Sequence, residues 1–422
     1  MQFWLSIAVF LAVYAFIISD KIHRTIIAML GGGLIIALGV IEQEAAFEHI
    51  DFNTIGLLIG MMIIVGISRQ SGLFEYLAIR SSKLAGGRPL AILATLGLVT
   101  AVASALLDNV TTVVLVVPIT FAITDRLEIS PYPFLYTEIL CSNIGGTATL
   151  IGDPPNIMIG SATGLGFIDF LANLALPVLV ILLVTLAILL FYYRADLETK
   201  EERRLDLMGL DERKYIKDWK LLYQSLLGLG LTMAGFMLHQ ALHLESATVA
   251  LLGAAVLMLI TRESPEEIFL NIEWPTVFFF AGLFVLVGGL VETGVIELMA
   301  VQALGLTGAN PAQTGLLVLW LSAIASAFVD NIPFVATMIP LLQTMGQMSG
   351  MPMEPTWWAL ALGACLGGNG TLIGASANVI VAGIASKYGS PVSFGSFFRV
   401  GFPLMLLSIV LATAYMFLFF WR

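Results

Sequence analysis

Three aspartates stand in apolar surroundings where a carboxylate is costly. Asp108 lies in LLDNVTT, Asp153 in LIGDPPN and Asp330 in FVDNIPF, each between long hydrophobic runs. A charge at the centre of a bilayer costs at least ~2.5–3.5 kcal/mol, so acids kept there are functional candidates that carry a proton or coordinate a cation. The plain alternative is helix capping, because Asp is a favoured N-cap and Pro154-Pro155 after Asp153 suits a first helical turn. Polar neighbours accompany each acid: Asn109, Thr111 and Thr112; Ser142, Asn143, Gly145, Gly146, Thr147, Thr149 and Asn156; Asn331. A fourth string adds Gly367, Gly368, Asn369, Thr371, Ser376 and Asn378 but no acid. Amide and hydroxyl oxygens with free backbone carbonyls and a carboxylate can hold Na⁺. Helix-terminal N–H groups can hold an oxyanion or a neutral hydroxylated solute. The glycines are expected to permit backbone breaks and close packing. Cys141 and Cys365 make no disulfide framework or zinc set, although soft thiols would suit arsenic(III). No metal-ligand spacing, nucleophile–base pair or cofactor motif appears, so an enzyme is the least expected class and no catalytic residue, metal or cofactor is assigned.

The second and fourth strings are one motif written twice. GGTATLIGDPPN at 145–156 and GGNGTLIGASAN at 367–378 share seven of twelve positions at an offset of 222 residues. The same offset relates Gly31 to Gly253, Glu75 to Glu297, Asp108 to Asp330 and Pro118 to Pro340, without a gap from about 23 to 156. The repeat is unequal at one acid, since Asp153 corresponds to Ala375.

What carries these strings is a chain 59% hydrophobic and 11% charged, with mean hydropathy +0.96. Soluble domains average about 25% charged residues, and several apolar runs reach the ~20 residues a spanning helix needs. The class is an all-α polytopic membrane protein, and nothing suggests nucleic-acid binding. Spans are expected at 3–19, 25–41, 54–68, 167–193, 223–239, 245–261, 275–290 and 395–420. Segments 134–163 and 356–386 are broken helices. Stretches 89–124 and 313–346, each split by Asp-Asn, read as re-entrant helical hairpins. Five crossings plus a hairpin per half make the halves inverted-topology repeats. Interrupted segments at matching places in two halves are the best sequence pointer to a transporter's binding site.

Charge placement supports that topology. With the N- and C-termini outside, 18 of the 19 Lys and Arg fall in loops 20–24, 69–89, 125–133, 194–220, 261–274 and 387–399, leaving only Arg422 on the far side. That is the cytoplasmic bias of positive residues. The polar loop 194–220, with eight basic and eight acidic residues, reads as a solvated cytoplasmic connector.

LLDNVTTVVLVVP at 106–118, NIGGTATLIGDPPN at 143–156, FVDNIPFVATMIP at 328–340 and CLGGNGTLIGASANVIVAG at 365–383 resemble the ion transporter superfamily. Within it they resemble the group of ArsB-type arsenite permeases, NhaD-like proteins and the melanosomal P protein. The resemblance implies a secondary transporter, in some members a homodimer, whose transport domain moves against a scaffold. It divides the chain into a first repeat at 1–193 (scaffold 1–88, transport hairpin and broken helix 89–193), the connector 194–220, and a second repeat at 221–422 (scaffold 221–312, transport elements 313–422). In the related dicarboxylate carriers the hairpin tips carry Ser-Asn-Thr. Asp108 and Asp330 stand here at the serine position, which argues against an anionic carboxylate cargo. The first expectation is proton-coupled efflux of arsenite or antimonite across the cytoplasmic membrane, and hence arsenical resistance. At neutral pH arsenite is mostly uncharged As(OH)₃, and one or more of Asp108, Asp153 and Asp330 would take up the driving proton. A Na⁺/H⁺ antiporter is the alternative, with Asp108 and Asp330 binding Na⁺ and H⁺ in turn. An anion transporter or channel of the P protein type comes third. The expected partners are the cargo, the coupling H⁺ or Na⁺, the lipid bilayer, and an ATPase on the 194–220 loop.

Overall fold

In the computed structural model, residues 1–19 and 21–421 are described. Asp20 and Arg422, the one basic residue assigned to the far side, lie outside them. The first half runs α1 (Gln2–Ser19), α2 (Arg24–Ala37), α3 (Gln43–Glu48), α4 (Phe52–Gln70), α5 (Leu73–Leu84), α6 (Pro89–Leu106), α7 (Asn109–Leu127), α8 (Tyr132–Gly146), α9 (Pro154–Thr163) and α10 (Phe167–Tyr192). The connector holds α11 (Glu201–Met208) and a 3-10 turn at Glu212–Tyr215. The second half runs α12 (Trp219–Leu238), α13 (Ser246–Thr261), α14 (Pro265–Phe269), α15 (Trp274–Glu292), α16 (Val295–Thr307), α17 (Pro311–Phe328), α18 (Asn331–Ser349), α19 (Glu354–Gly367), α20 (Ser376–Lys387) and α21 (Phe394–Phe419). Every helix start from α2 to α9 recurs 222 residues later, at α13 to α20. The duplication is therefore structural to the residue.

Among the described residues nine helices are long and apolar enough to cross a membrane. On α10, Leu176, Leu179 and Leu183 are exposed at helical spacing, as a lipid-facing stripe requires. The second span, expected at 25–41, stops at Ala37, where the chain turns through Gly39 at φ +65°. The pair α5 and α16 was not anticipated, each being too short for a span; α5 is amphipathic and α16 apolar.

Two helix groups emerge from the packing. In one, α2 lies on α15 and α4 on α13, each pair joining opposite halves. The contact is made by matched small residues: a Cβ on Gly60 would stand 2.6 Å from the Ala250 backbone, and one on Gly282 2.6 Å from Ala28. Such close backbone approach is how helices associate where lipid removes the hydrophobic drive. In the other group, hairpin arm α6 packs on α8 and α17 on α19. Matched hydrogen bonds tie them, Ser104 Oγ to Ser142 O at 2.7 Å and Ser326 Oγ to Ala364 O at 2.6 Å.

The connector is not simply solvated. Leu207 is fully buried and Ile216 nearly so. Lys83 Nζ donates to Glu212 Oε2 at 2.5 Å and to Leu210 O at 2.7 Å, while Arg80 lies 3.2 Å from Glu212 Oε1. Arg126 pairs with Asp206, and Arg203 with Glu128. A side chain at Gly72 (φ +82°) would strike Tyr215 O, so glycine permits this docking. The Lys83 hydrogen bond holds the Glu212 carboxyl below its ordinary range. A depressed folded-state pKa stabilises above the unfolded value and is lost as pH falls through the folded one. Docking should therefore persist until the pH drops below the usual carboxylate range. Glu212→Gln is expected to speed tryptic cleavage at Arg203, Arg204 and Arg213 severalfold at pH 7, read by gel densitometry; an unchanged rate would mean that these ion pairs do not hold the connector.

Candidate functional site

Four helices begin at the centre of the molecule: α7 after Asp108, α9 after Asp153, α18 after Asp330 and α20 after Ala375. Each N-terminus brings unsatisfied N–H groups and about half a positive charge. Two of the acids answer that field as caps. Asp108 Oδ1 accepts from Thr111 N at 2.7 Å, and its Oδ2 accepts from the Thr111 hydroxyl. Asp330 Oδ1 accepts from Ile332 N at 3.1 Å. The repeat diverges here, because Pro333 stands where the first half has Thr111 and offers neither an N–H nor a hydroxyl. The second oxygen of Asp330 is thereby left open. It takes Arg24 Nη1 at 2.5 Å and Ser376 Oγ at 2.9 Å.

Asp153 was the acid most easily read as a cap, yet its side chain makes no cap hydrogen bond. It is fully buried, and its hydrogen-bond partner is Asn331 Nδ2, 3.3 Å from both oxygens. The Asn331 amide comes from the other half's hairpin tip, so the asymmetric acid of one repeat faces the tip of the other.

The remaining polar residues divide by task. Asn156 Nδ2 donates to Thr147 O and Thr149 O, and Asn378 Nδ2 to Gly368 O and Thr371 O, each closing its own loop. Thr149 and Thr371 donate to Ala105 O and Ala327 O, both at 2.5 Å, pinning the loops to the hairpins. Thr112 and Thr147 bond back to Asp108 O and Asn143 O. Gly145, Gly146, Gly367 and Gly368 all sit where a Cβ would press on neighbouring atoms, mostly backbone. Asn143 Nδ2 bridges to Asn369 Oδ1 and Asn378 Oδ1, both at 2.9 Å, and Asn109 reaches Asn143 at 3.4 Å.

Two cavities meet among these residues. A larger one of about 340 Å³ opens at the end of the bundle carrying most of the basic residues, between the α1–α2 turn, the start of α15 and α20. It is lined by His23, Arg24, Glu273, Asp330 and Ser376 among others. A small one of about 20 Å³ lies deeper, lined by Asp108, Asn109, Asp153, Asn331, Glu273, Arg24 and Ser376. That volume holds about one water-sized occupant. Among the described residues no three His, Cys, Asp or Glu side chains converge as a transition-metal site would need; the carboxylates alternate with amides. Cys365 Sγ lies 3.4 Å from Asn156 Oδ1, beside this region, while Cys141 is buried elsewhere along α8.

Three site features escaped the sequence. Arg24 counted as a loop cation, and its partner is 306 residues away. Glu273 likewise counted as a loop residue, though the repeat pairs it with Asp51, the N-cap of α4. A fourth buried acid in apolar surroundings was passed over. Glu138, on α8, is 1% exposed; one oxygen accepts from the Thr120 hydroxyl and the other has no partner. Its repeat counterpart is Leu360, so the offset gave no warning.

Comparison with known proteins agrees with this architecture. Residues 14–363 match the family model described as citrate transporter, CitMHS. An uncharacterized transporter of Mycobacterium tuberculosis is 46% identical over 98% of this chain and 97% of its own length. The P protein of Homo sapiens is 37% identical over 98% of this chain, which spans 60% of that protein. The fold is similar to the YdaH transporter of Alcanivorax borkumensis, described as having an unusual topology, with a TM-score of 0.60 over 89% of this chain and 87% of that one at 16% identity. With two inverted repeats, paired hairpin tips and paired broken helices in place, the chain is a multi-pass membrane transporter and belongs to the citrate transporter family, CitMHS, within the ion transporter superfamily.

Proposed function

We propose that this transporter exchanges a small monovalent cation, Na⁺ first, for protons at the site formed by Asp108, Asp153 and Asp330. The charge balance of the site carries the reading. Four helix N-termini contribute about half a positive charge each, and Arg24 adds one more. Asp108, Asp153, Asp330 and Glu273 together outweigh that sum by about one negative charge. The small cavity beside them suits a single desolvated ion held by Asn109, Asn331 and carboxylate oxygens. Asp153 is the key group, because a buried charge that meets an amide but no cation is costly and is neutralised by a bound cation or a proton. Citrate, named by the family model, would bring further negative charge to a site that offers one guanidinium.

In this reading the basic end is cytoplasmic, by the distribution of positive residues. The larger cavity then makes the present conformation inward-facing. The cross-half pairs α2–α15 and α4–α13 serve as scaffold, and the hairpins with the broken helices as the moving element.

Proton-coupled export of arsenite is the second reading, and one observation favours it: the Cys365 thiol stands beside the Asn156 loop. As(OH)₃ is too large for the inner cavity and would occupy the outer one. Purified protein in liposomes holding a pH-sensitive dye separates the two. Na⁺ or Li⁺ added under an imposed pH gradient is expected to release protons within seconds, whereas arsenite, antimonite and citrate should not. Proton movement on arsenite alone would reverse the order of the readings.

A further inference from the structure

We infer that Arg24 is a tethered counter-cation, seated on Asp330 when the carrier is empty and displaced from it by the transported ion. This rests on the cation reading above.

The geometry has three parts. First, Arg24 Nη1 lies 2.5 Å from Asp330 Oδ2 and 2.7 Å from Ser376 Oγ, and Ser376 Oγ donates to the same oxygen at 2.9 Å. The guanidinium thus occupies a place where a cation would find one carboxylate and one hydroxyl oxygen. Second, the bond joins different bodies. Arg24 begins α2, in the group packed on α15, whereas Asp330 and Ser376 belong to the hairpin and broken helix. While it stands, the hairpin tip is held against α2. Third, the pair is releasable. The Arg24 side chain is 26% exposed, lines the open cavity and lies 5.0 Å over the Phe279 ring. The Asp330 side chain is 11% exposed, so release needs an ion that enters through the cavity and replaces the guanidinium on the same carboxylate oxygen. Glu273, on the wall of both cavities, offers the displaced guanidinium another acceptor.

The repeat explains why only one tip has this device. Position 246, equivalent to Arg24, is serine, and Asp108 is already satisfied by Thr111. At Asp330 the equivalent of Thr111 is Pro333, which leaves the oxygen for Arg24. A carrier built this way holds still when empty and moves when loaded, which is what couples the two ion flows.

The test is alkylation of Val379→Cys on the cavity wall by a membrane-impermeant maleimide in inside-out vesicles. Cys141 and Cys365 are buried, so protein without the added cysteine gives the background. In Na⁺-free buffer Val379→Cys should label quickly, and Na⁺ should slow it severalfold. Adding Arg24→Gln should slow labelling without Na⁺ and abolish the Na⁺ response, while Arg24→Lys should preserve both. Equal labelling in Arg24→Gln and its parent overturns the tether, and the Lys variant excludes misfolding as the cause of a change. If Arg24→Gln alters labelling but Na⁺ neither slows it nor releases protons, the tether stands and the cation reading fails.

Discussion

Replacing Asp153 by asparagine is expected to lower Na⁺-dependent proton exchange by about 100-fold or more and leave the fold intact. Asparagine matches aspartate in shape and can still meet Asn331, so packing is preserved. What disappears is the only carboxylate of the three that is neither a helix cap nor paired with arginine. The variant leaves the ion and the proton without their carboxylate, and a loss of about 2.7 kcal/mol in ion binding already corresponds to 100-fold. Asp108→Ala and Asp330→Ala should combine a transport defect with loss of a cap, worth about 1 kcal/mol of stability. Initial rates of proton release together with thermal unfolding separate the two effects. Wild-type exchange in Asp153→Asn would return the residue to a structural role. The exchange of sites should not be symmetric: Asp153→Ala is expected to cost far more flux than Ala375→Asp adds.

Gly145→Ala should damage the fold itself. Its Cβ would lie 2.1 Å from Ala101 O and 2.6 Å from Ala101 Cα, which is helix backbone on α6. Neither helix can yield by turning a side chain, so α6 and α8 must part. Overpacked cores lose about 1–3 kcal/mol when side chains can adjust, and a backbone clash is expected to reach the top of that range or exceed it. Gly367→Ala, against Ala323 at 2.6 Å, should behave alike, whereas Gly33→Ala meets nothing within 4 Å and is the control. Size-exclusion profiles and melting in detergent give the answer. A Gly145→Ala protein that melts like its parent would mean that the α6–α8 contact is looser than this geometry requires.

The fold was legible because its signals are periodic and repeated. Helix starts recur at one offset, and polar strings interrupt apolar runs at the same places in both halves. What stayed hidden depends on long-range or asymmetric contacts. Arg24 looks like any loop cation until α2 meets the second hairpin. Glu138 lies in the continuous first arm of a broken helix among Leu135, Ile139 and Leu140, with no acidic repeat partner to mark it. The connector did give a clue, in that Leu197, Leu207 and Ile216 are apolar within a charged loop, but composition averages such residues away. Asp153, the acid that most resembled a cap, fails to cap for a local reason: Pro155 supplies no N–H at the second helical position, where a capping oxygen would find one, and the Asp153 side chain turns to Asn331 instead.

Asn143 has one further consequence. A single amide from the first half spans both Asn369 and Asn378 of the second, in a region without water access. Separating the halves at that level without letting water in would strand three amides, at a cost of several kcal/mol. On the cation reading proposed above, the cheaper motion would keep the two interrupted helices stitched together and carry the ion with them as a parcel. The cycle would then expose the same first-neighbour atoms to either side of the membrane, and intrinsic affinity would be set once, by one nest of oxygens, rather than separately at two half-sites.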